Sequence, residues 1–160
     1  GVPPGTPVYF YAPRSDVVTF GLEYTINDFV FASEYMSYRS KNLAYVNGVL
    51  YDKRSANSEN YYFSATYQAT DKVSVGTYYS LRYGNKGDKD GSDRVAAGGH
   101  EWEAWQKDVA LAVRYDLTTN WSLKAEYHWI DGTGQTMASE NPQGPTRRWE
   151  MFLLKASYIF

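Results

Sequence analysis

Along most of this chain, apolar and polar side chains alternate with a period of two. A short phrase of that kind recurs, closing each time on tyrosine: FGLEY at Phe20–Tyr24, FASEY at Phe31–Tyr35, FSATY at Phe63–Tyr67, LAVRY at Leu111–Tyr115, LKAEY at Leu123–Tyr127 and LKASY at Leu154–Tyr158. A strand sends successive side chains to opposite faces, so each phrase reads as a strand with one greasy and one mixed face. The spacing between phrases is irregular, which excludes a solenoid or propeller repeat. The pattern predicts seven strands: Val17–Ile26, Phe29–Tyr38, Asn60–Ala69, Lys72–Tyr83, Asp108–Leu117, Trp121–Ile130 and Trp149–Phe160. Three connections are tight, at Asn27-Asp28, Thr70-Asp71 and Thr118-Thr119-Asn120. The other three, 39–59, 84–107 and 131–148, are long and polar and alternate with the tight ones, so they gather on the opposite side. Residues 1–16 hold four of the six prolines, which strands disfavour, and read as a further loop.

Assigning faces strand by strand separates the side chains cleanly. One face collects Phe20, Leu22, Tyr24, Phe31, Phe63, Val75, Leu111, Val113, Leu123 and Phe152, with no charge inside those runs. Glu23, Glu34, Arg82, Asp108, Arg114, Asp116, Lys124, Glu126 and Lys155 all fall on the other. Such alternation belongs to a transmembrane barrel with a wet lumen or, with the faces exchanged, to a soluble barrel. The aromatic girdle, the sorting of tight turns and long loops to opposite sides, and the closing Phe160 favour the transmembrane barrel. Tyrosine supplies 16 of 160 residues and aromatics 18%, placed near the strand ends where a membrane's interfaces lie.

Mean hydropathy is nevertheless only −0.55, because polar residues facing a lumen dilute every strand. No stretch approaches the roughly 18 apolar residues of a membrane helix. The formal charge of −2 argues against a nucleic-acid partner, which calls for a basic surface. Cysteine is absent, removing disulfides and thiolate metal sites.

The final segment, RRWEMFLLKASYIF, carries apolar residues at Phe152, Leu154, Ala156, Tyr158 and Phe160 and ends on an aromatic. With that ending, the tyrosine-closed alternations and turns such as Thr119-Asn120-Trp121, the chain from about Val17 to Phe160 resembles Gram-negative outer-membrane porins, in particular the latter half of a porin subunit. The resemblance implies an all-β, antiparallel up-and-down transmembrane barrel in the bacterial outer membrane, with tight turns periplasmic and loops 39–59, 84–107 and 131–148 extracellular. It implies passive diffusion of small hydrophilic solutes or ions, no enzymatic activity and no cofactor. The surroundings it implies are outer-membrane lipid and lipopolysaccharide, the barrel assembly machinery, and identical subunits in a homo-oligomer. Pore-lining residues on this reading are Glu23, Glu34, Arg82, Arg114, Lys124, Glu126 and Lys155. Phe152, Tyr158 and Phe160 would form the assembly signal.

Strand parity leaves two architectures open. With seven strands, the first, Val17–Ile26, finds its partner outside these residues, in further strands of a larger barrel. With Val8–Arg14 as a short extra strand, an eight-stranded barrel closes on itself and serves as a non-conducting anchor, adhesin or assembly partner. The lumen charges divide likewise, between a transverse field across a wide pore and mutual pairing that plugs a narrow one. Asn47-Gly48 between the apolar arms of LAYVNGVLYD is a strong two-residue hairpin signal, predicting an extracellular hairpin that folds into the pore mouth or against a neighbour. The remaining chemistry is sparse. His128 is expected in the wet lumen beside Glu126, and His100 in a loop. The acidic run Gly87–Asp93 lacks the bidentate Glu and the spacing of a calcium loop, and no hydrolase motif is present.

Overall fold

The computed structural model describes residues 3–136 and 141–160. Seven strands, β1 (Val8–Ile26), β2 (Phe29–Val46), β3 (Val49–Gln68), β4 (Val73–Tyr83), β5 (Trp105–Asp116), β6 (Trp121–Gly132) and β7 (Arg148–Tyr158), form one antiparallel up-and-down sheet in the order β1 to β7. Among the described residues the only helical pieces are a single turn, α1 (Ser92–Ala96), and a 3₁₀ turn at Glu101–Glu103, both between β4 and β5. The sheet does not close. Among the described residues β1 pairs only with β2 and β7 only with β6, so the outer edges of β1 and β7 are bare.

Two expectations are corrected. Residues 1–16 are not all loop: β1 begins at Val8, its pairing with β2 running past a bulge between Tyr11 and Arg14. Val8–Arg14 is therefore the start of β1 and not an eighth strand. Segment 39–59 is not a loop either. β2 and β3 continue through it and meet at Asn47-Gly48, where both φ angles are positive (50° and 78°) as a type I′ hairpin turn requires. The turn is where the sequence puts it, but the hairpin extends the sheet and does not fold back. Proline and polar content hid these strand halves because an edge strand and an exposed ribbon tolerate both. Strands β1 to β3 are thus 19, 18 and 20 residues long, against 11 or 12 for β4 to β7. The β3–β4 pairing ends at Glu59 opposite Tyr83, so β1 to β3 extend past β4 on the loop side. Connections 84–104 and 133–147 stay long, although residues 137–140 lie outside the described part.

The registers carry the face assignment across the whole sheet. Tyr24, Phe31, Ala65, Thr77, Leu111, Tyr127 and Phe152 form one unbroken cross-strand row. The next row is Leu22, Ser33, Phe63, Tyr79, Val109, Trp129 and Glu150, apolar except at Ser33 and at its β7 end. This apolar face is open: Phe20 is 69% exposed, Leu111 53% and Leu154 74%. The polar face is the crowded one, with Ala110 at 0% and Ser74, Asp108 and His128 buried. A sheet curled with its polar side inward produces that inversion. The only buried apolar side chains among the described residues are Ala104, Trp105, Ala110 and Ile130, mostly at the loop-side end of β5 and β6. There Gly132 (φ 91°) passes so close to Trp105 that a Cβ would lie 2.3 Å from the Trp105 carbonyl oxygen.

Candidate functional site

The concave face is where charge and space coincide. Arg114, Lys124 and Lys155 are direct cross-strand partners, Arg114 opposite Lys124 and Lys124 opposite Lys155, forming one basic row over β5, β6 and β7. Like charges directly opposite each other destabilise a sheet, so the row is an arrangement with a cost. Part of it is offset along the strands. The Arg114 guanidinium bonds Asp116 at 2.8 and 2.9 Å, and Lys124 Nζ lies 2.8 Å from Glu126 Oε1. Lys155 has no hydrogen-bond or ion-pair partner among the described residues. Glu23 and Glu34 stand exposed on β1 and β2, with β3 and β4 between them and the basic row. Arg82 is drawn away toward the loop side, where its Nη1 donates to Asn60 Oδ1 at 3.1 Å.

Beside the row lies a recess of about 380 Å³. Arg114, Lys124 and Lys155 bound one side; hydroxyls of Tyr62, Ser64, Thr66 and Ser74 bound the other. No carboxylate lines it. These hydroxyls were legible as concave-face positions from strand parity, but only the register brings them opposite the cations. A larger recess, about 660 Å³, opens on the convex face over Tyr79, Val109 and Trp129, with charges of both signs around it, Lys107, Asp131, Arg148 and Glu150.

His128 departs from expectation. It is 2% exposed and not solvated, and its partner is not Glu126. Its Nδ1 lies 3.0 Å from Asp108 Oδ2 and 3.0 Å from the Tyr78 hydroxyl, a network tying β4, β5 and β6 together. His100 stacks on Trp102 at 4.8 Å. The aspartates of the acidic run serve the chain locally: Asp88 accepts from the Ser92 hydroxyl and the Asp93 N–H, and Asp90 from the Ser92 N–H.

The feature that the sequence did not suggest is the latch on the β4–β5 connection. Asn85 bridges to Asn57, and the Lys86 N–H donates to the Asn57 carbonyl at 2.6 Å. Glu59, 3% exposed at the loop-side rim, receives the Tyr35 hydroxyl at 2.8 Å, Lys86 Nζ at 3.1 Å and Lys89. Lys89 also lies over the rings of Tyr61 and Tyr83. Burial pushes the Glu59 carboxyl up, but bonds from Lys89, Tyr35 and Lys86 outweigh it and hold it at about 2. A depressed carboxyl stabilises the folded form above its ordinary value of 4.5 and loses that contribution as pH falls toward about 2. Hydrogen-exchange protection of segment 84–104, corrected for the intrinsic rate, is therefore expected to fall as pH drops from 4.5 toward about 2, and Glu59→Gln to abolish that fall. A latch unaffected by the substitution would assign the docking to the backbone bridge alone.

No family model, curated protein or solved structure matches this chain at significant similarity.

Proposed function

We propose that this chain forms part of the wall of an outer-membrane β-barrel porin, a passive channel for small hydrophilic solutes or ions. The observation that carries the reading is the inverted polarity of the sheet: a largely apolar convex face left open, its charges confined to the loop-side end, and a charged concave face turned inward. In water that face would be an aggregation hazard far larger than the few hundred Å² a monomer exposes. In lipid it is the required surface. The apolar run begins at Val18 on β1 but at Val109 on β5 and Phe152 on β7, a stagger suited to strands tilted in a barrel. Its aromatic borders fit the two interfaces. Lipid does not tolerate unpaired strand edges, so the reading requires more strands beside β1 and β7, from the same polypeptide or from identical subunits. The bacterial outer membrane, with its lipopolysaccharide leaflet, is the setting that the reading implies.

The test is conductance of the purified protein in planar bilayers, with liposome swelling in sugars as a second measure. Steps of current that scale with salt support the channel. Folded insertion without current or swelling would refute it in favour of a non-conducting anchor.

The assembly reading of the last strand makes a separate prediction. Phe160 is fully exposed, and among the described residues the one ring near it is that of Tyr158, at 6.4 Å between centroids. Even full burial of such a side chain is worth only about 1.5–3 kcal/mol. Phe160→Asp is expected to abolish insertion in cells yet refold nearly normally into detergent. Equal failure in both settings would make Phe160 an ordinary packing residue.

A further inference from the structure

We infer that the recess between the basic row and the hydroxyl bank is a binding site for a small oxyanion, a phosphate or carboxylate group carried by a hydroxylated solute. The inference deepens the channel reading and rests on it only for the route by which the anion arrives.

Three properties of the recess select this chemistry. Every charged side chain lining it is cationic: Arg114, Lys124 and Lys155. The nearest acids do not line it: Asp116 lies beyond it along β5, and Glu126, beside Ala112 on β6, is turned to Lys124, leaving Lys155 uncommitted. Such a row, unfavourable when empty, is offset by an anion lying against all three groups. The opposite bank is made of hydroxyls, which donate to an oxyanion or pair with a solute's own hydroxyls. The space between the banks exists because the residues between them are small. Gly76 and Ala112 face each other across β4 and β5, and a Cβ on Gly76 would come within 3.1 Å of Thr66 Oγ1. At about 380 Å³ the recess has room for an anionic group and a short polyol, not for a nucleotide or a polymer. Chloride would meet the cations but leave the hydroxyl bank idle, so the preference runs toward multi-oxygen anions.

The experiment uses the whole membrane-inserted protein, with inorganic phosphate and gluconate as probes for the two oxyanion types. Potassium chloride current is recorded while either probe is added, and phosphate binding to the detergent-solubilised protein is measured by calorimetry. Saturable block and saturable binding are expected, with half-block concentrations raised at least tenfold by Lys155→Gln. Ala112→Leu, which fills the recess and removes no charge, should do the same. Lys53→Gln, on an exposed lysine near the β2–β3 tip, should do nothing. Normal current with neither block nor binding would overturn the site and leave the channel standing. Binding that Lys155→Gln and Ala112→Leu leave unchanged would overturn it as well. Saturable, Lys155-dependent binding without any current would support the site and overturn the channel.

Discussion

Leu111→Arg is expected to destabilise the membrane-inserted protein by about 2–4 kcal/mol, the cost of a guanidinium at the bilayer midplane on the lipid face of a barrel. Leu111 sits in the central convex row between Thr77 and Tyr127, and is 53% exposed within the chain. A solvent-exposed leucine on a soluble sheet would accept arginine within about 0.5 kcal/mol. The same substitution therefore gives opposite results under the two readings of the alternating pattern. Denaturant unfolding from lipid vesicles supplies the number, and Trp121→Arg supplies the depth control. Trp121 packs against Tyr158 at the turn-side border, with ring centroids 4.9 Å apart, where arginine should cost only about 0–1 kcal/mol. A negligible loss at Leu111, or equal losses at both positions, would refute a lipid-facing convex surface.

The division of the sheet into an apolar and a polar face was legible in the sequence, and the reason is physical. A period of two needs no knowledge of partners, so Phe63, Val109 and Leu111 declare their face locally. Registers then followed from the tight turns. Where Asn27-Asp28 or Thr118-Thr119-Asn120 fixes a hairpin, the pairing zips up from it: Ile26 faces Phe29, and Asp116 faces Ser122. Strand length was less legible. Segments 8–16 and 39–59 lack a consistent apolar face, since beyond the apolar band β1 to β3 are mostly exposed on both sides and the few buried side chains there, Ser40, Ser58 and Glu59, are polar. The concave site was half visible. Arg114, Lys124 and Lys155 could be placed on one face, but their alignment in a single row depends on two registers at once. The Glu59 latch was invisible, because it joins Glu59 to Lys86 and Lys89 through a loop whose path no periodicity encodes. His128 was misjudged for the same reason. Its partners Asp108 and Tyr78 come from two other strands, and their packing turns a lumen position into a buried one.

Reversing the basic row with Arg114→Glu, Lys124→Glu and Lys155→Glu together should move the reversal potential in a salt gradient by tens of millivolts toward cations. Fixed charges beside a narrow aqueous path set the population of counter-ions in it, so the sign of the row sets the sign of the preference. The local background makes the shift large. In the native protein Asp116 and Glu126 offset Arg114 and Lys124; after reversal they add to the new carboxylates, and Glu23 and Glu34 lie on the same concave face. Screening makes the result depend on ionic strength. The Debye length is about 30 Å at 0.01 M but only about 3 Å at 1 M, so the shift should shrink steadily as salt is raised. A reversed row also places like charges side by side along β5 and β6, so folding is checked by circular dichroism in detergent. The triple glutamine variant gives the same readout with less strain and should lie between the native and reversed proteins. Intact conductance with an unchanged reversal potential in both variants would mean that Arg114, Lys124 and Lys155 do not line the conducting path.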